Sequence, residues 1–178
     1  MAKPITRRQF LAQTAGLTTL GAVCPGCHFG ASQKARVPNI VLIMADDLGY
    51  GDLGCYGGTD IHTPAIDSLA NEGVRFTTFY SNAPECTPTR TALLTGRYQH
   101  RVGGLECALG IGNVGRYDDA VRLRQTNDMG LPAEQTTIAR MLKDTGYATA
   151  ICGKWHLGYE KKFFPLRHGF DYWFGPVG

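Results

Sequence analysis

A continuous apolar run near the start of the chain most constrains its fold. Residues 39–45 read Asn-Ile-Val-Leu-Ile-Met-Ala and are followed at once by Asp46 and Asp47. Apolar residues in series, without polar alternation, are typical of a strand buried on both faces of a parallel sheet. We therefore predict a strand over 39–45, with an acidic pair at its carboxyl end.

Helix and strand signals alternate along the rest of the chain. A helix is predicted over 64–72, with Thr63 as N-cap, Pro64 at its first position and Gly73 as its stop. Further predicted elements are a strand over 74–80, a helix over 137–144 and a strand over 147–152. Apolar residues share one face of each helix, and we expect both faces to be buried: Ile66, Leu69 and Ala70 in the first, Ile138, Met141 and Leu142 in the second. The alternation predicts an α/β fold, a predominantly parallel sheet sandwiched by helices.

The long segment between two of these elements has no clear periodicity. Residues 97–129 are rich in glycine and longer than an ordinary connection needs to be. Loops of this kind commonly carry function, so we interpret this segment as a rim or substrate loop.

A short helix is predicted from Pro88 to Thr95, with Gly96 as its left-handed cap. Cys86 stands at its N-terminus, where unpaired N–H groups favour an anion, and Arg90 adds a fixed cation one turn further on. The alternative, for an isolated pair of this kind, is that the cysteine is simply a small buried residue and the arginine is one partner of a surface ion pair.

Chemically active side chains follow the predicted strands at their carboxyl ends. In open α/β sheets ligands bind at that edge, so we expect Asp46, Asp47, Cys86, Lys154 and His156 to converge there. Two adjacent carboxylates repel each other unless they share a cation, and oxygen ligands suit Ca²⁺ or Mg²⁺. Taken alone, each residue also has a structural interpretation, such as a solvated turn, a surface salt bridge or a satisfied core histidine.

Three ordered motifs resemble the signatures of one enzyme family. Residues 86–96, Cys-Thr-Pro-Thr-Arg-Thr-Ala-Leu-Leu-Thr-Gly, resemble the first signature of the type I sulfatases, formylglycine-dependent enzymes of the alkaline-phosphatase-like superfamily. Residues 146–158, which include Gly153-Lys154-Trp155-His156, resemble the second signature. Residues 38–57 resemble the family's first strand and the acidic pair that ends it. The resemblance implies the sulfatase fold and hydrolysis of sulfate esters.

The resemblance also implies a metal centre and a modified residue. Asp46 and Asp47 would be calcium ligands, with Mg²⁺ as an alternative ion. Cys86 would be oxidised to formylglycine by a formylglycine-generating enzyme, and one oxygen of that residue would contact the same ion. Arg90 would hold the formylglycine in place.

Two further residues would then act on the sulfate group. The resemblance implies that Lys154 binds the sulfate and the formylglycine, and that His156 hydrogen-bonds the second hydroxyl of the aldehyde hydrate. One hydroxyl would attack sulfur and the alcohol of the ester would depart, which gives a sulfo-enzyme intermediate with calcium assisting; the other hydroxyl would then expel sulfate and regenerate the aldehyde. Related enzymes that hydrolyse phosphonate or phosphate esters are an alternative, as is a non-catalytic remnant that retains the motifs.

The first 31 residues are predicted to be an export signal. A twin arginine, Arg7 and Arg8, precedes an apolar stretch that reaches about Val23, which resembles a bacterial twin-arginine signal read by the twin-arginine translocon. The expected location is therefore periplasmic or extracellular, and lipid anchoring at Cys24 or Cys27 is a less favoured alternative.

The first 31 residues carry three basic and no acidic residues, so the net charge falls from +3 to 0 without them. Nothing then favours binding to nucleic acid.

Residues 37–178 are interpreted as the N-terminal portion of a sulfatase catalytic domain. The chain stops before the downstream acid and amide that would complete a calcium site, which prefers about six to eight ligands. We therefore expect the 178-residue chain by itself to be inactive. A sulfate ester is the expected substrate, with some preference for a carbohydrate sulfate.

Overall fold

The computed structural model describes residues 37–110 and 118–178, and it divides into two compact units, Met1–Met44 and Ala45–Gly178. The predicted export signal, residues 1–31, lies outside the described residues, as do residues 111–117 of the long segment 97–129. In the first unit only 37–44 are described, and they have no regular secondary structure. No helix in the described residues is long and apolar enough to cross a membrane.

Two predicted strands are wrong. Residues 39–45 and 74–80 pair with no other strand in the described part of the chain. Their apolar side chains are largely exposed, as Val41 and Ile43 illustrate at 83% each. A strand is held by ladder hydrogen bonds and by cover on its faces, and these segments have neither in the described residues.

Four helices lie in the described residues of the second unit. Helix α1 spans Pro64–Glu72, as predicted, and ends at Gly73. Helix α2 spans Cys86–Thr95 and begins two residues earlier than predicted, because the extended Glu85 is its N-cap. Helix α3 spans Asp118–Gln125, inside the segment expected to be irregular, and α4 spans Ile138–Asp144 behind the N-cap Thr137. Short 3₁₀ turns lie before, between and after them, at Tyr50–Asp52, Gly54–Tyr56, Gln99–Arg101, Lys161–Phe163 and Pro165–Arg167.

The described sheet consists of two parallel strands. Strand β1, Ala150–Cys152, pairs with β2, Tyr172–Phe174, and Ile151 lies opposite Trp173. The parallel pairing confirms the predicted kind of sheet, although β1 is shorter than the predicted 147–152 and β2 was not predicted. The Lys154 and His156 region follows β1 directly.

The core lies between α2 and the segment after β1. Its buried members are Leu94, Leu105, Leu109, Leu131, Trp155 and Leu157. Trp155 is 1% exposed, and its indole N–H donates to the Phe163 carbonyl at 2.8 Å. Because Leu94 belongs to α2 and Trp155 stands between the two expected site residues after β1, this packing holds the two parts of the candidate site together.

The predicted inward faces of α1 and α4 are corrected by the structure. Ile66 and Leu69 are 44% and 66% exposed, and Met141 is 60% exposed. Helix α4 instead buries Ala139, and its N-cap Thr137 is fully buried. The periodicity located the helices correctly but did not show that their longest apolar side chains are uncovered in the described chain.

Candidate active site

The first turn of α2 places Cys86 at the helix N-terminus. Cys86 is the first residue of the helix and is partly buried, and Pro88 falls in the first turn, where its missing N–H leaves no bond unmade. Gly96 ends the helix in the left-handed region, at φ 65°. The free N–H groups of this first turn favour negative charge beside residue 86.

The imidazole of His156 contacts the Cys86 thiol. Its Nδ1 atom lies 3.0 Å from Sγ of Cys86, and its Nε2 atom lies 2.8 Å from the carbonyl oxygen of Leu109. A carbonyl oxygen only accepts hydrogen bonds, so Nε2 carries the hydrogen of the neutral ring. The Nδ1 lone pair is therefore directed at residue 86.

Burial and charge keep the imidazole neutral. His156 is only 6% exposed, and burial is the main cause that lowers its pKa below the ordinary value. The nearby Lys154 and Arg90 cations act in the same direction, while the hydrogen bond to Leu109 opposes them. The neutral ring can therefore accept a hydrogen bond at Nδ1 from the group on residue 86.

Asp46 joins the two cations of the site. Its Oδ1 atom lies 3.2 Å from Nη2 of Arg90, and its Oδ2 atom lies 3.0 Å from Nζ of Lys154. The hydrogen bond from Lys154 is the main cause that holds the pKa of Asp46 below its ordinary value, and Arg90 adds to it. Arg90 is buried and also donates through Nη1 to the Lys154 carbonyl at 2.6 Å.

Lys154 stands between the carboxylate and the thiol. Its pKa is raised, mainly because its ammonium donates to Asp46, and the nearby Cys86 thiol acts in the same direction. Its side chain is 27% exposed, so it is accessible to a bound anion. A fixed ammonium beside residue 86 provides the charge that an anionic substrate group requires.

The structure brings together most of the residues predicted from the sequence. Direct contacts link Cys86 to His156, and they link Asp46 to Arg90 and Lys154. Asp47 follows Asp46 in the left-handed region, at φ 59°, and its exposed side chain makes no hydrogen bond or ion pair within residues 37–110 and 118–178. Five of the six predicted positions therefore lie in two contacting groups that meet where α2 faces the segment after β1, and Asp47 lies beside Asp46 in the sequence.

The donors fit a divalent cation in kind but not in number. Carboxylate oxygens from Asp46 and Asp47 are the ligands that Ca²⁺ and Mg²⁺ prefer. No group of three or more His, Cys, Asp or Glu side chains in the described parts of the chain is arranged to hold a metal ion. The described residues therefore supply part of such a site and do not complete one.

Two residues of this site were not found by sequence reasoning. The buried Thr87 donates through Oγ1 to the His156 carbonyl at 2.9 Å and accepts from the Leu109 N–H at 3.0 Å. Leu109 contributes main-chain atoms only, so no side-chain pattern could have revealed it. Thr87 stands within the cysteine motif, and its position there was the one available signal.

Comparison with known proteins identifies the class of this chain. A family model described as Sulfatase matches residues 38–178. Mouse (Mus musculus) steryl-sulfatase is 49% identical over 151 residues, which cover 82% of this chain and 23% of that protein. Human (Homo sapiens) N-acetylgalactosamine-6-sulfatase is 43% identical over 146 residues, which cover 82% of this chain and 27% of that protein.

Solved structures agree with the sequence relatives. The crystal structure of Ps i-CgsB, in complex with k-i-k-neocarrahexaose, superimposes with a TM-score of 0.66 at 38% identity. The match covers 79% of this chain and 28% of that one. The chain belongs to the sulfatase family, and the predicted α/β class with a parallel sheet is confirmed. It spans about a quarter of the length of the curated relatives it matches.

Proposed function

We propose that the protein hydrolyses sulfate esters with a formylglycine made from Cys86 by a formylglycine-generating enzyme. The observation that carries this proposal is the contact of Cys86 with His156 together with the cluster of Asp46, Arg90 and Lys154, both beside the first two turns of α2. Such a group combines a reactive position, a proton acceptor and two cations. Membership of the sulfatase family supports the same reaction.

The chain's own residues have distinct roles in this proposal. The aldehyde hydrate of residue 86 supplies the nucleophilic oxygen when the modification is present. Lys154 binds the sulfate group and neutralises charge that develops on its oxygens. His156 accepts a proton at Nδ1 from the group on residue 86, since that lone pair is directed there. Arg90 fixes the Lys154 backbone and the Asp46 carboxylate, so that both remain in place.

Asp46 and Asp47 would hold a calcium ion, with Mg²⁺ as the alternative. A bound divalent cation supplies charge stabilisation beside the reacting group. The remaining ligands would come from outside the described residues. Chelation of the full-length protein is expected to abolish hydrolysis, and addition of Ca²⁺ is expected to restore it; activity unchanged by exhaustive chelation would contradict this part of the proposal.

The reaction class is tested with matched esters. Full-length protein is assayed on an aryl sulfate and on the corresponding aryl phosphonate and phosphate, as wild type, Cys86→Ala and Cys152→Ala. Cys152 is an exposed thiol on β1 and serves as the control. We expect sulfate to be preferred, Cys86→Ala to lose activity and Cys152→Ala to keep it. A phosphonate preference would favour the related ester hydrolases instead, and no turnover of any ester would favour a non-catalytic protein.

Substrate and location are part of the same proposal. We favour a carbohydrate sulfate as substrate, since a structural neighbour was solved with k-i-k-neocarrahexaose bound. Release of sulfate from sulfated oligosaccharides but not from steryl sulfate would support this choice, and the reverse preference would contradict it.

We also propose export through the twin-arginine translocon, so replacement of Arg7 and Arg8 by lysine should keep the protein in the cytoplasm.

A further inference from the structure

Thr87 makes two hydrogen bonds through one buried hydroxyl group. Its Oγ1 donates to the carbonyl of His156 at 2.9 Å and accepts from the N–H of Leu109 at 3.0 Å. The residue is 0% exposed, so water cannot replace either partner without rearrangement. A hydroxyl has a single donor hydrogen, and here it is committed to the main chain of the residue that approaches Cys86.

The two partners of Thr87 also contact each other. The Leu109 carbonyl lies 2.8 Å from Nε2 of His156, so Thr87, His156 and Leu109 form a closed ring of hydrogen bonds. The carboxylate of Glu85, the residue before Cys86, accepts from the N–H of Ala108 and ties the same segment to the start of α2. Segment 108–109 is therefore anchored on both sides of Cys86.

The backbone of His156 needs such an anchor. His156 has φ 58°, in the left-handed region that residues with a side chain seldom adopt. A conformation of this kind persists only where surrounding contacts hold it. The Thr87 hydroxyl supplies one of those contacts, at the carbonyl of the strained residue itself.

We propose that Thr87 is a positioning residue that sets the orientation and tautomer of His156. By holding the Leu109 main chain, Thr87 keeps a carbonyl oxygen opposite Nε2, and this leaves the Nδ1 lone pair facing residue 86. Without the hydroxyl, the buried Leu109 N–H and His156 carbonyl each lose a partner, and the segment must shift to find others. The ring then loses the contact that fixes its hydrogen on Nε2.

Thr91 provides a matched control in the same helix. It lies one turn after Thr87 and is also 0% exposed, but its hydroxyl donates only to the Thr87 carbonyl within α2. Replacement by valine removes a buried hydroxyl at either position with little change of shape. Only at position 87 does the loss reach His156 and Leu109.

The kinetic test rests on the proposed function and uses full-length Thr87→Val, Thr87→Ser and Thr91→Val. Formylglycine content is measured by mass spectrometry, and kcat is expressed per aldehyde. We expect Thr87→Val to lower kcat roughly 10- to 100-fold with KM within about threefold, as for a misplaced catalytic group. Thr87→Ser and Thr91→Val should stay within about threefold of wild type. Equal losses in Thr87→Val and Thr91→Val, or no rescue by serine, would overturn the proposal.

A second readout does not depend on turnover. Protein labelled with ¹⁵N-histidine is examined by NMR at about pH 8, where neutral imidazole predominates and its tautomer is visible. We expect the Nε2–H tautomer of His156 in wild type and Thr87→Ser, and a tautomer mixture in Thr87→Val. An Nδ1–H wild type, or a Thr87→Val spectrum identical to wild type, would overturn the positioning role. Failure to hydrolyse any sulfate ester would instead contradict the proposed function and leave this readout decisive for Thr87.

Discussion

Nδ1 of His156 lies 3.0 Å from Sγ of Cys86, although the two residues are 70 positions apart in the chain. The contact depends on α2 and the segment after β1 meeting across a buried core that includes Leu94 and Trp155. The family's two signature motifs are thus parts of one site in space. Single substitutions that leave this packing intact should therefore show which side chains affect catalytic activity and which affect the stability of the fold.

Lys154 is expected to affect turnover far more than stability. Lys154→Ala removes the ammonium beside residue 86 and should lower sulfate ester hydrolysis roughly 10²- to 10³-fold, the usual cost of losing one group that stabilises transition-state charge. Lys162→Ala, which removes an exposed ion pair with Asp128, is the control and should retain activity. Steady-state kinetics on an aryl sulfate measure both, and equal activities in the two variants would argue against the role of Lys154.

Arg90 is expected to matter for stability as well as for the site. Its guanidinium bonds both the Lys154 carbonyl and the Asp46 carboxylate, and a lysine cannot span the two with the same fork. Arg90→Lys should lower the free energy of unfolding by about 1–3 kcal/mol, because two part-buried acceptors lose the buried donor that satisfies them. Arg122→Lys, at a side chain 66% exposed, should change it by less than about 0.5 kcal/mol. The free energies of unfolding are measured with denaturant, and an equal loss in both variants would contradict the structural role of Arg90.

His168 should make stability depend on pH. Burial lowers the pKa of His168 to about 4, and Arg140 adds to this while Glu134 opposes it. The ring is 0% exposed and stacks on Trp155, with ring centroids 5.4 Å apart. A folded pKa below the unfolded value of about 6.5 means that the unfolded chain binds the proton more tightly. Stability is therefore complete above about pH 6.5 and falls towards pH 4, by up to about 3 kcal/mol.

The variant His168→Asn should flatten that dependence. Unfolding free energies are compared between about pH 7 and pH 4.5 for wild type, His168→Asn and His62→Asn, in which an exposed histidine is removed as the control. We expect the slope to shrink only in His168→Asn. A slope that persists in that variant would assign the pH dependence to other groups.

Two glycines with the same backbone conformation should respond differently to substitution. Gly169 and Gly146 have φ 96° and 94°, so alanine is strained at both by about 1–2 kcal/mol. A Cβ at Gly169 would also collide with the Arg140 backbone, whereas a Cβ at Gly146 meets nothing within 4 Å. Gly169→Ala should therefore destabilise by about 1–3 kcal/mol more than Gly146→Ala. Thermal or denaturant unfolding that ranks them equally would contradict the packing described.

Sequence reasoning succeeded where local signals decide the structure. The bounds of α1 follow from Pro64 and Gly73, and the Gly96 cap ends α2 as predicted. Motif spacing predicted that Asp46, Cys86, Arg90, Lys154 and His156 lie close together, and their catalytic roles stay predictions. The strands predicted over 39–45 and 74–80 do not form in the described chain, since a strand depends on neighbours that no local pattern supplies.

The main chain of Leu109 was beyond sequence reasoning for a different reason. Every residue carries a carbonyl group, so nothing in residues 104–110 marks the one that faces His156. Asp47 was predicted from its place beside Asp46, and its role as a metal ligand stays a prediction. Thr87 shows that a position inside a recognised motif can carry a structural role that the motif itself does not reveal.

The conversion of Cys86 to a catalytic formylglycine can be measured by mass spectrometry of the peptide that contains residue 86. The full-length protein is produced for this in a host with a formylglycine-generating enzyme. The account predicts that residue 86 has lost its sulfur and carries an aldehyde, in proportion to the sulfatase activity of the sample. A thiol at Cys86 in protein that hydrolyses sulfate esters at full rate would contradict it, and so would complete conversion in protein without any such activity.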